Sequence, residues 1–363
     1  MEIDARVEAW ASLQLIPGLS ARALVALLKA FGGPAEVLAA SRASLTPLVG
    51  AELASAIAQG AAPDELSLSL AWLAEPGHAL LAWDDAAYPS ALLTIGDPPP
   101  VLHYAGKPDL LNRPALAIVG SRNATPQGRE NAEAFAAALS AAGLTIVSGL
   151  AQGIDAAAHR GGLAGAGNSV AVVGTGIDRI YPAGNKALAH RLAAEGGLLS
   201  QFTLGTPPLP GNFPRRNRVI SGLVRGVLVV EATPNSGSLI TARFAAEQGR
   251  EVFAIPGSIH SPFSKGCHRL IKDGAKLVET AQDVLEELGL APARASDRAW
   301  AGTPAPDGDA ARVLAALGHD PADVDLLAER TGLDASAIAV ALVELELAGQ
   351  VAQLPGGAFQ RVM

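Results

Sequence analysis

The chain has 363 residues, of which 49% are hydrophobic and 17% charged, so it can bury a large core in roughly two or three domains. It contains no apolar run of about eighteen residues, its first residues are acidic where a signal peptide is basic, and its single cysteine, Cys267, excludes an internal disulfide and a cysteine-cluster metal site. We therefore expect a globular cytoplasmic protein with no membrane segment, and its net charge of −8 disfavours a nucleic-acid partner unless the charges are segregated.

Residues 1–70 have the apolar spacing of helices, which predicts a small helical domain of the SAM or helix-hairpin-helix type. Within it, LIPGLSARALVALLKAFGG predicts a helix, a tight turn at Pro17–Gly18 and a second helix that ends at Gly32–Gly33. The region has seven acids and four bases, so protein contacts or simple packing are favoured over strong DNA binding. Such a hairpin can still offer backbone N–H groups to a phosphate.

Residues 71–290 are expected to form a central α/β domain. Its first part is interrupted by prolines, including Pro98–Pro100, and is expected to wrap or extend the rest. From residue 115, apolar strand-like runs alternate with glycine turns and helical segments; the runs are LAIVG, LTIVSG, SVAVVG, GLLSQF, GVLVVEA and EVFAIPG. This alternation predicts a doubly wound, mainly parallel sheet with helices on both faces.

The C-terminal part is expected to contain a linker and one further domain. Residues 291–308 are rich in alanine, proline and small polar residues, which is typical of a linker. Residues 309–363 predict two amphipathic helices around Thr331–Gly332 and two short strands around Gly356–Gly357, a winged-helix pattern. The second helix, residues 335–348, has two glutamates and no lysine or arginine, so we expect a protein-docking module that does not read a DNA groove.

The basic residues are concentrated in the central domain. From Arg113 to Lys272 there are 16 lysines and arginines against 8 acids, whereas the rest of the chain has 11 basic and 27 acidic residues. Such asymmetry favours a phosphate-binding module with acidic flanks over an evenly charged protein, although an uneven surface would give the same count.

Glycine-containing turns follow the predicted strands on the side where ligands of doubly wound sheets bind. They are VGSR (119–122), SGLAQGID (148–155), VGTGID (173–178), PNSGSLIT (234–241) and PGS (256–258). Glycine lets the backbone approach a ligand, and the helix that follows offers N–H groups to an anion. Hydroxyl groups of Ser121, Ser236, Ser238 and Thr241 add uncharged donors, so the edge is expected to bind phosphate.

Arginines accompany these turns. Arg122 lies in the first turn, NFPRRNRVI places Arg215, Arg216 and Arg218 in one loop-to-helix segment, and Lys186 lies near a helix start. Guanidinium groups bind phosphate through two donors, and several along one edge suit a polymer of phosphates better than one mononucleotide. A single arginine is most often a solvated surface charge and a single glycine a simple turn, so the prediction depends on the cluster.

Several motifs of catalysis and cofactor binding are missing. There is no GxxxxGK[ST], and GTGIDR lacks the third glycine of a dinucleotide fingerprint. His260, Cys267 and His268 do not have zinc-ligand spacing, and Asp155 and Glu231 are expected to cap helices or pair with arginines. We therefore predict no cofactor, no metal and no catalytic residue.

The chain resembles the DNA-processing protein A (DprA) family of bacteria over about residues 80–280. The matching motifs occur in order: GSRNATPQG, SGLAQGID, GTGIDRIYPAGN, NFPRRNRVISGL, VVEATPNSGSLITARFAAEQGREVFAIPG and GCHRLIKDGA. The flanking helical and winged-helix segments are similar to domains of many members.

The resemblance implies an extended Rossmann-like core that dimerises and acts in natural transformation, competence and homologous recombination. It implies that the protein protects incoming single-stranded DNA and loads the RecA recombinase onto it. The DNA-binding residues implied by motif position are Gly120, Ser121, Arg122, Lys186, Arg216, Asn217 and Arg218, with Ser236, Gly237, Ser238 and Thr241 along the same edge. Arg215 occupies a variable motif position and is added for its charge alone.

Two alternatives stay open. An enzyme, a nucleotide phosphoribohydrolase of the lysine-decarboxylase-like family, requires PGGxGTxxE, where this chain has PNSGSLITARF. An interaction-only scaffold would have no nucleic-acid affinity. In the DNA-binding interpretation, Tyr181 or Phe213 is the candidate for stacking on a base, and either could instead be a core anchor.

Overall fold

The structure, a computed structural model, describes residues 4–290, 306–318, 320–354 and 356–362. The predicted linker falls mostly on residues 291–305, which lie outside the described ranges. Among the described helices, none combines the length and the apolar character that a bilayer span requires.

The N-terminal segment folds into six helices. They are α1 (Ala5–Gln14), α2 (Ala21–Phe31), α3 (Pro34–Ala39), α4 (Arg42–Val49), α5 (Ala51–Gln59) and α6 (Pro63–Leu73). The predicted hairpin is α1 and α2: Ser20 caps α2 with its hydroxyl, and Gly32, at φ 100°, ends it. Buried Trp10 and Leu27 belong to the same apolar cluster as Val101 of the sheet, so the helices pack on the edge of the central domain.

The central domain is built on a nine-stranded sheet of order β1-β2-β6-β5-β4-β3-β7-β8-β9. Its strands are β1 (His78–Ala82), β2 (Val101–Gly106), β3 (Ala115–Val119), β4 (Thr145–Ser148), β5 (Ser169–Val172), β6 (Gly197–Ser200), β7 (Gly226–Val229), β8 (Glu251–Ala254) and β9 (Lys276–Leu277). All six predicted strands are present as β3 to β8 and pair in parallel. The proline-interrupted segment extends this sheet through β1 and β2: the edge strand β1 pairs antiparallel with β2, and β2 pairs antiparallel with β6.

Helices cover both faces of the sheet, as the strand pattern predicts. The helices are α7 (Pro126–Ala141), α8 (Ile154–Leu163), α9 (Lys186–Glu195), α10 (Asn212–Gly222), α11 (Ser238–Glu247), α12 (Lys265–Lys272) and α13 (Ala281–Glu287). Leu116 and Ile118 of β3 pack with α7, α8 and α13, whereas Ala117 and Val119 pack with α10, α11 and α12. Every residue of β3 is thus buried, as in a central strand of a doubly wound sheet.

The order of the strands in the sheet reverses at β3 and β7, which are parallel neighbours. Strands β3 to β6 extend the sheet one way, and the chain then returns to place β7 on the other side of β3. This neighbouring pair forms a topological switch point, where the loops leaving the carboxyl ends of the two strands separate and leave a crevice.

The C-terminal segment is the predicted winged helix. It consists of α14 (Gly308–Leu317), α15 (Val324–Thr331), α16 (Ala335–Leu347), β10 (Val351–Gln353) and β11 (Phe359–Arg361). The two strands pair antiparallel, and Ala322 bridges to Phe359. The fold expected from the sequence, a doubly wound mainly parallel sheet with a winged-helix domain, is therefore confirmed; the helix α14 was not predicted. The winged helix meets the central domain where Gln360 Nε2 donates to Gln127 Oε1 at 2.7 Å.

Candidate functional site

A cavity of about 440 Å³ lies at the switch point, beyond the carboxyl ends of β3 and β7. Its walls come from the turn after β3, the start of α8, the start of α10 and the turn that leads into α11. The loops that follow β3 and β7 therefore both border this cavity, and ligands of doubly wound sheets bind at such a position.

The turn after β3 is fixed by close contact with the turn after β7. The Ser121 N–H donates to the Glu231 carbonyl oxygen at 2.8 Å. A Cβ at Gly120 would lie 2.6 Å from Ile154 Cγ1 and 2.8 Å from that same carbonyl oxygen, so only glycine permits this approach. The Gly120–Ser121 backbone is thus held against the far wall of the crevice.

Glu231 has a structural role that differs from the one expected. Both of its carboxylate oxygens accept hydrogen bonds from Thr125, from the hydroxyl at 2.6 Å and from the backbone N–H at 3.0 Å. Thr125 in turn caps α7 by accepting from the Gly128 N–H. Glu231 therefore joins the β7 turn to the α7 cap, and it pairs with none of the described arginines.

Arg216 forms the cationic floor of the cavity. Its side chain is buried, its Nη1 donates to the Val172 carbonyl oxygen at 2.7 Å, and it lies beside the buried carboxylate of Asp155. Asp155 also accepts from the backbone N–H groups of Gly149 and Ala151 at 3.1 and 3.3 Å. Burial raises the pKa of Asp155 while the charge of Arg216 opposes that rise, and burial lowers the pKa of Arg216 to about 10.

Arg122 supplies a second cation at the rim. It is exposed and makes no ion pair within the described ranges, and its guanidinium carbon lies 5.7 Å from the centroid of the Phe213 ring. The Phe213 ring lies 5.7 Å from the ring of Tyr181, which is 45% exposed. The Arg122 guanidinium, which can hold a phosphate, therefore lies beside the Phe213 ring, and the exposed Tyr181 ring next to Phe213 can stack on a base.

The opposite wall is the first turn of α11. Ser236, Gly237, Ser238 and Thr241 all line the cavity, and the hydroxyls of Ser236 and Ser238 lie 2.7 Å apart. Because α11 begins at Ser238, its first turn and the positive end of its dipole lie at the cavity. Together with the two arginines, this wall makes the cavity suitable for an anion.

The structure brings together most, but not all, of the predicted binding residues. Around the cavity lie Gly120, Ser121, Arg122, Arg216, Asn217, Ser236, Gly237, Ser238 and Thr241. Lys186, at the start of α9, is exposed and outside its lining, and Arg215 and Arg218 line a different cavity on the other side of α10. Of the five predicted turns, 119–122, 148–155 and 234–241 reach the cavity, whereas 173–178 and 256–258 do not.

Sequence reasoning missed two participants. Asp155 was expected to cap a helix or pair with an arginine, and it does lie beside Arg216, but its role in positioning the floor of the site was not predicted. Asn123 follows the GSR turn and lines the cavity without having been selected. For Asp155, the available sequence signal was an acidic residue in the SGLAQGID turn that follows a buried strand. Within the described residues, no group of three or more potential ligand side chains could hold a metal ion.

The fold and this cavity define a Rossmann-like protein with a crevice at its switch point whose lining suits an anion. The chain belongs to the DNA recombination-mediator protein A family, whose sequence model matches residues 79–289, and the DprA winged helix domain matches residues 292–357. The resemblance inferred from the motifs is therefore confirmed.

Known proteins are similar to this chain over most of their own length. The chain is 46% identical to Protein Smf of Escherichia coli over 300 residues, which is 80% of this chain and 79% of that relative. It is similar to the X-ray structure of DNA processing protein A from Streptococcus pneumoniae, with a TM-score of 0.67, 38% identity and coverage of 79% of this chain and 99% of that one. A structure of DNA processing protein A from Helicobacter pylori, described for its single-stranded DNA binding mode, aligns with a TM-score of 0.53 and 29% identity over 58% of this chain and 95% of that one.

Proposed function

We propose that this protein binds single-stranded DNA at the switch-point cavity without cutting it. The observation that carries the proposal is Arg122, an exposed guanidinium that makes no ion pair among the described residues and that stands beside Phe213 above the buried Arg216. Phosphate would be held by the arginines, the GSR turn and the first turn of α11, while a base stacks on an aromatic ring. None of these contacts selects a particular base, so binding would tolerate sequence variation.

The chemistry of the site favours single-stranded over double-stranded DNA. An aromatic ring at the rim can stack only on a base whose face is free, and the bases of a duplex stack on their own neighbours. The Helicobacter pylori relative is described as binding single-stranded DNA, which supports the same substrate for this chain. Lys186, Arg215 and Arg218 remain proposed contacts for parts of the strand outside the cavity.

The proposal describes a binding protein of DNA processing. Glu231, an acid that follows β7 beside the crevice, accepts hydrogen bonds from Thr125 at both carboxylate oxygens, which supports a structural role over a catalytic one. The further roles implied by the family, namely homodimer formation, protection of incoming strands during natural transformation and loading of RecA in the cytoplasm, are part of the proposal and rest on the family resemblance.

Fluorescence anisotropy with matched single- and double-stranded oligonucleotides tests the function. We expect the wild type to prefer the single strand and its affinity to fall with salt, because phosphate binding releases counterions. Arg122→Ala should weaken binding about tenfold or more, since a charged hydrogen bond contributes roughly 1.5–3 kcal/mol. Arg225→Ala is the matched control, because Arg225 is exposed and makes no ion pair in the described structure but precedes β7, at the opposite edge of the sheet. If the wild type and Arg122→Ala bind DNA with equal affinity, the switch-point cavity is not the DNA-binding site.

A further inference from the structure

The arginines of helix α10 line two different cavities. Phe213, Arg216 and Ile220 line the switch-point cavity, as expected for residues three and four apart on one helix face. Arg215 and Arg218, also three apart, lie on another face and line a second cavity. The sequence NFPRRNRVI therefore places cations on two sides of one helix.

The second cavity, of about 600 Å³, lies between the N-terminal helices and the central domain. One wall is the first turn of α2, where Arg22 projects, and another is the segment Pro98–Pro100. The remaining walls are α10 and the chain that follows β6, including Gln201 and Phe202. Two domains thus contribute side chains to one cavity.

The cavity has an excess of positive charge. Its ionisable lining residues are Arg22, Arg215, Arg218 and Asp97, a formal charge of +2. Arg22 and Arg215 are exposed and make no ion pair in the described parts of the chain, while Arg218 Nη1 lies 3.4 Å from Asp97 Oδ2. The Arg215 guanidinium carbon lies 5.3 Å from the Phe202 ring centroid, which orients it without neutralising it.

The cavity also has a buried hydrogen-bond donor without an acceptor in the described ranges, the side-chain amide of Gln201. Arg218 Nη2 donates to Gln201 Oε1 at 3.3 Å, which directs the amide nitrogen of Gln201 away from that contact. That nitrogen is buried and makes no hydrogen bond with any described residue, whereas Arg218 Nη1, also buried, has the ion pair with Asp97. A buried donor without an acceptor is costly, so an acceptor in this cavity, such as a phosphate oxygen, would be favourable.

We propose that the second cavity binds a backbone phosphate of the same single strand whose neighbouring segment occupies the switch-point cavity. This inference rests on the proposed function, and it assigns Arg22 of the N-terminal helices to the DNA site. Three guanidinium groups, those of Arg22, Arg215 and Arg218, line the cavity, and a guanidinium binds phosphate oxygens through two donors at once. The strand would cross the N-terminal end of α10, a distance of about 10 Å, so that one helix separates two phosphate positions. The acid excess of residues 1–70 does not conflict with this role, because only Arg22 is required there.

The test is the effect of Arg22→Ala on single strands of two lengths, measured by fluorescence anisotropy over a range of salt concentrations. A thymidine dinucleotide, which has a single phosphodiester, and an oligothymidylate of about 20 nucleotides distinguish one cavity from two. We expect Arg22→Ala to weaken binding of the longer strand several-fold and to lower its salt slope by about 0.7, as for one lost phosphate contact. Binding of the shorter strand should be unchanged. Arg42→Ala is the matched control, since Arg42 is an exposed arginine of the same helical unit that lines neither cavity.

The outcomes separate this proposal from the function on which it rests. If Arg122→Ala weakens both strands and Arg22→Ala weakens neither, the second phosphate position is wrong and the switch-point site stands. If Arg22→Ala and Arg42→Ala weaken the longer strand equally, the effect is one of general charge and the cavity is rejected. If the wild type binds neither strand, both proposals fail.

Discussion

Gly149 leaves the space in which the Arg216 guanidinium lies, because a Cβ at position 149 would overlap Arg216 Nη1 and Cζ. Arg216 is only 5% exposed and is held by the Val172 carbonyl oxygen and the neighbouring Asp155. The cation at the floor of the site is therefore positioned by the backbone of the turn after β4, and it cannot move without losing these contacts.

Gly149→Ala should displace Arg216 and weaken both stability and DNA binding. Overpacking of a buried position costs about 1–3 kcal/mol, which urea unfolding would measure. The control is Gly211→Ala, because Gly211 has a helical φ of −67° and no heavy atom within 4 Å of the position that a Cβ would take, so its effect should stay within about 0.5 kcal/mol. Equal stability and DNA affinity of the two variants would show that Arg216 does not depend on Gly149.

The sequence predicted the fold well where its signals are local. Strands β3 to β8 are continuous apolar runs followed by glycine turns, and such runs are characteristic of buried parallel strands. The pairing of β2 with β6 was not predictable, because it joins segments about ninety residues apart through a chain interrupted by prolines. Contacts of that kind depend on the whole fold.

The site was predicted less completely, for reasons of helical phase and packing. The arginines of NFPRRNRVI were assigned to one edge, but the helical turn of α10 directs Arg216 and Arg215 to different cavities. The turn 173–178 was expected to reach the ligand, yet Gly174 instead packs against the Phe213 ring. The turn 256–258 lines a cavity that faces the winged helix.

Two buried histidines should make stability fall with acid. Burial lowers the pKa of His103 to about 4, and burial together with the charge of Arg216 lowers that of His159 to about 3. Both are neutral in the folded state, whereas the unfolded chain takes up protons below about pH 6.5. Their stabilising contribution is therefore present above about pH 6.5 and is lost as the pH falls toward about 4 and 3, by about 1.4 kcal/mol per pH unit for each histidine.

The histidine prediction is checked by urea unfolding of wild type and His103→Gln at neutral pH and at about pH 5. The variant should lose less unfolding free energy over this interval than the wild type does, by about 2 kcal/mol, because one buried titration is gone. His190→Gln replaces an exposed histidine of α9 and should retain the wild-type pH dependence. Identical pH dependences for all three proteins would contradict the assignment.

Tyr181 should contribute to DNA affinity through its ring. It is 45% exposed and lies 5.7 Å from the Phe213 ring, so a base can reach its free face. Tyr181→Ala should cost roughly 1–3 kcal/mol of binding free energy, whereas Tyr181→Phe should bind nearly as the wild type because the ring is kept. Anisotropy titrations would measure both. An abasic oligonucleotide should bind wild type and Tyr181→Ala alike, and a difference there would argue against stacking.

The winged helix should contribute little to DNA affinity. In winged helices that read DNA, the recognition helix needs cations, but α16 presents Val340, Val343 and Leu347, which are 67%, 56% and 85% exposed. Residues 309–363 contain eight acids and three bases, so their field repels phosphate. Deletion of these residues should therefore change affinity for single strands by less than about threefold, or roughly 0.7 kcal/mol.

Introducing Arg122→Ala into both the full-length and the truncated chain sharpens the deletion experiment. If the switch-point cavity binds DNA without the winged helix, Arg122→Ala should weaken binding by the same factor in both backgrounds, because independent sites have additive free energies. The contact between Gln360 and Gln127 places the winged helix beside α7, away from Arg122 and Arg216, which is consistent with such independence. A collapse of affinity on truncation, with no further loss from Arg122→Ala, would transfer the binding site to the winged helix.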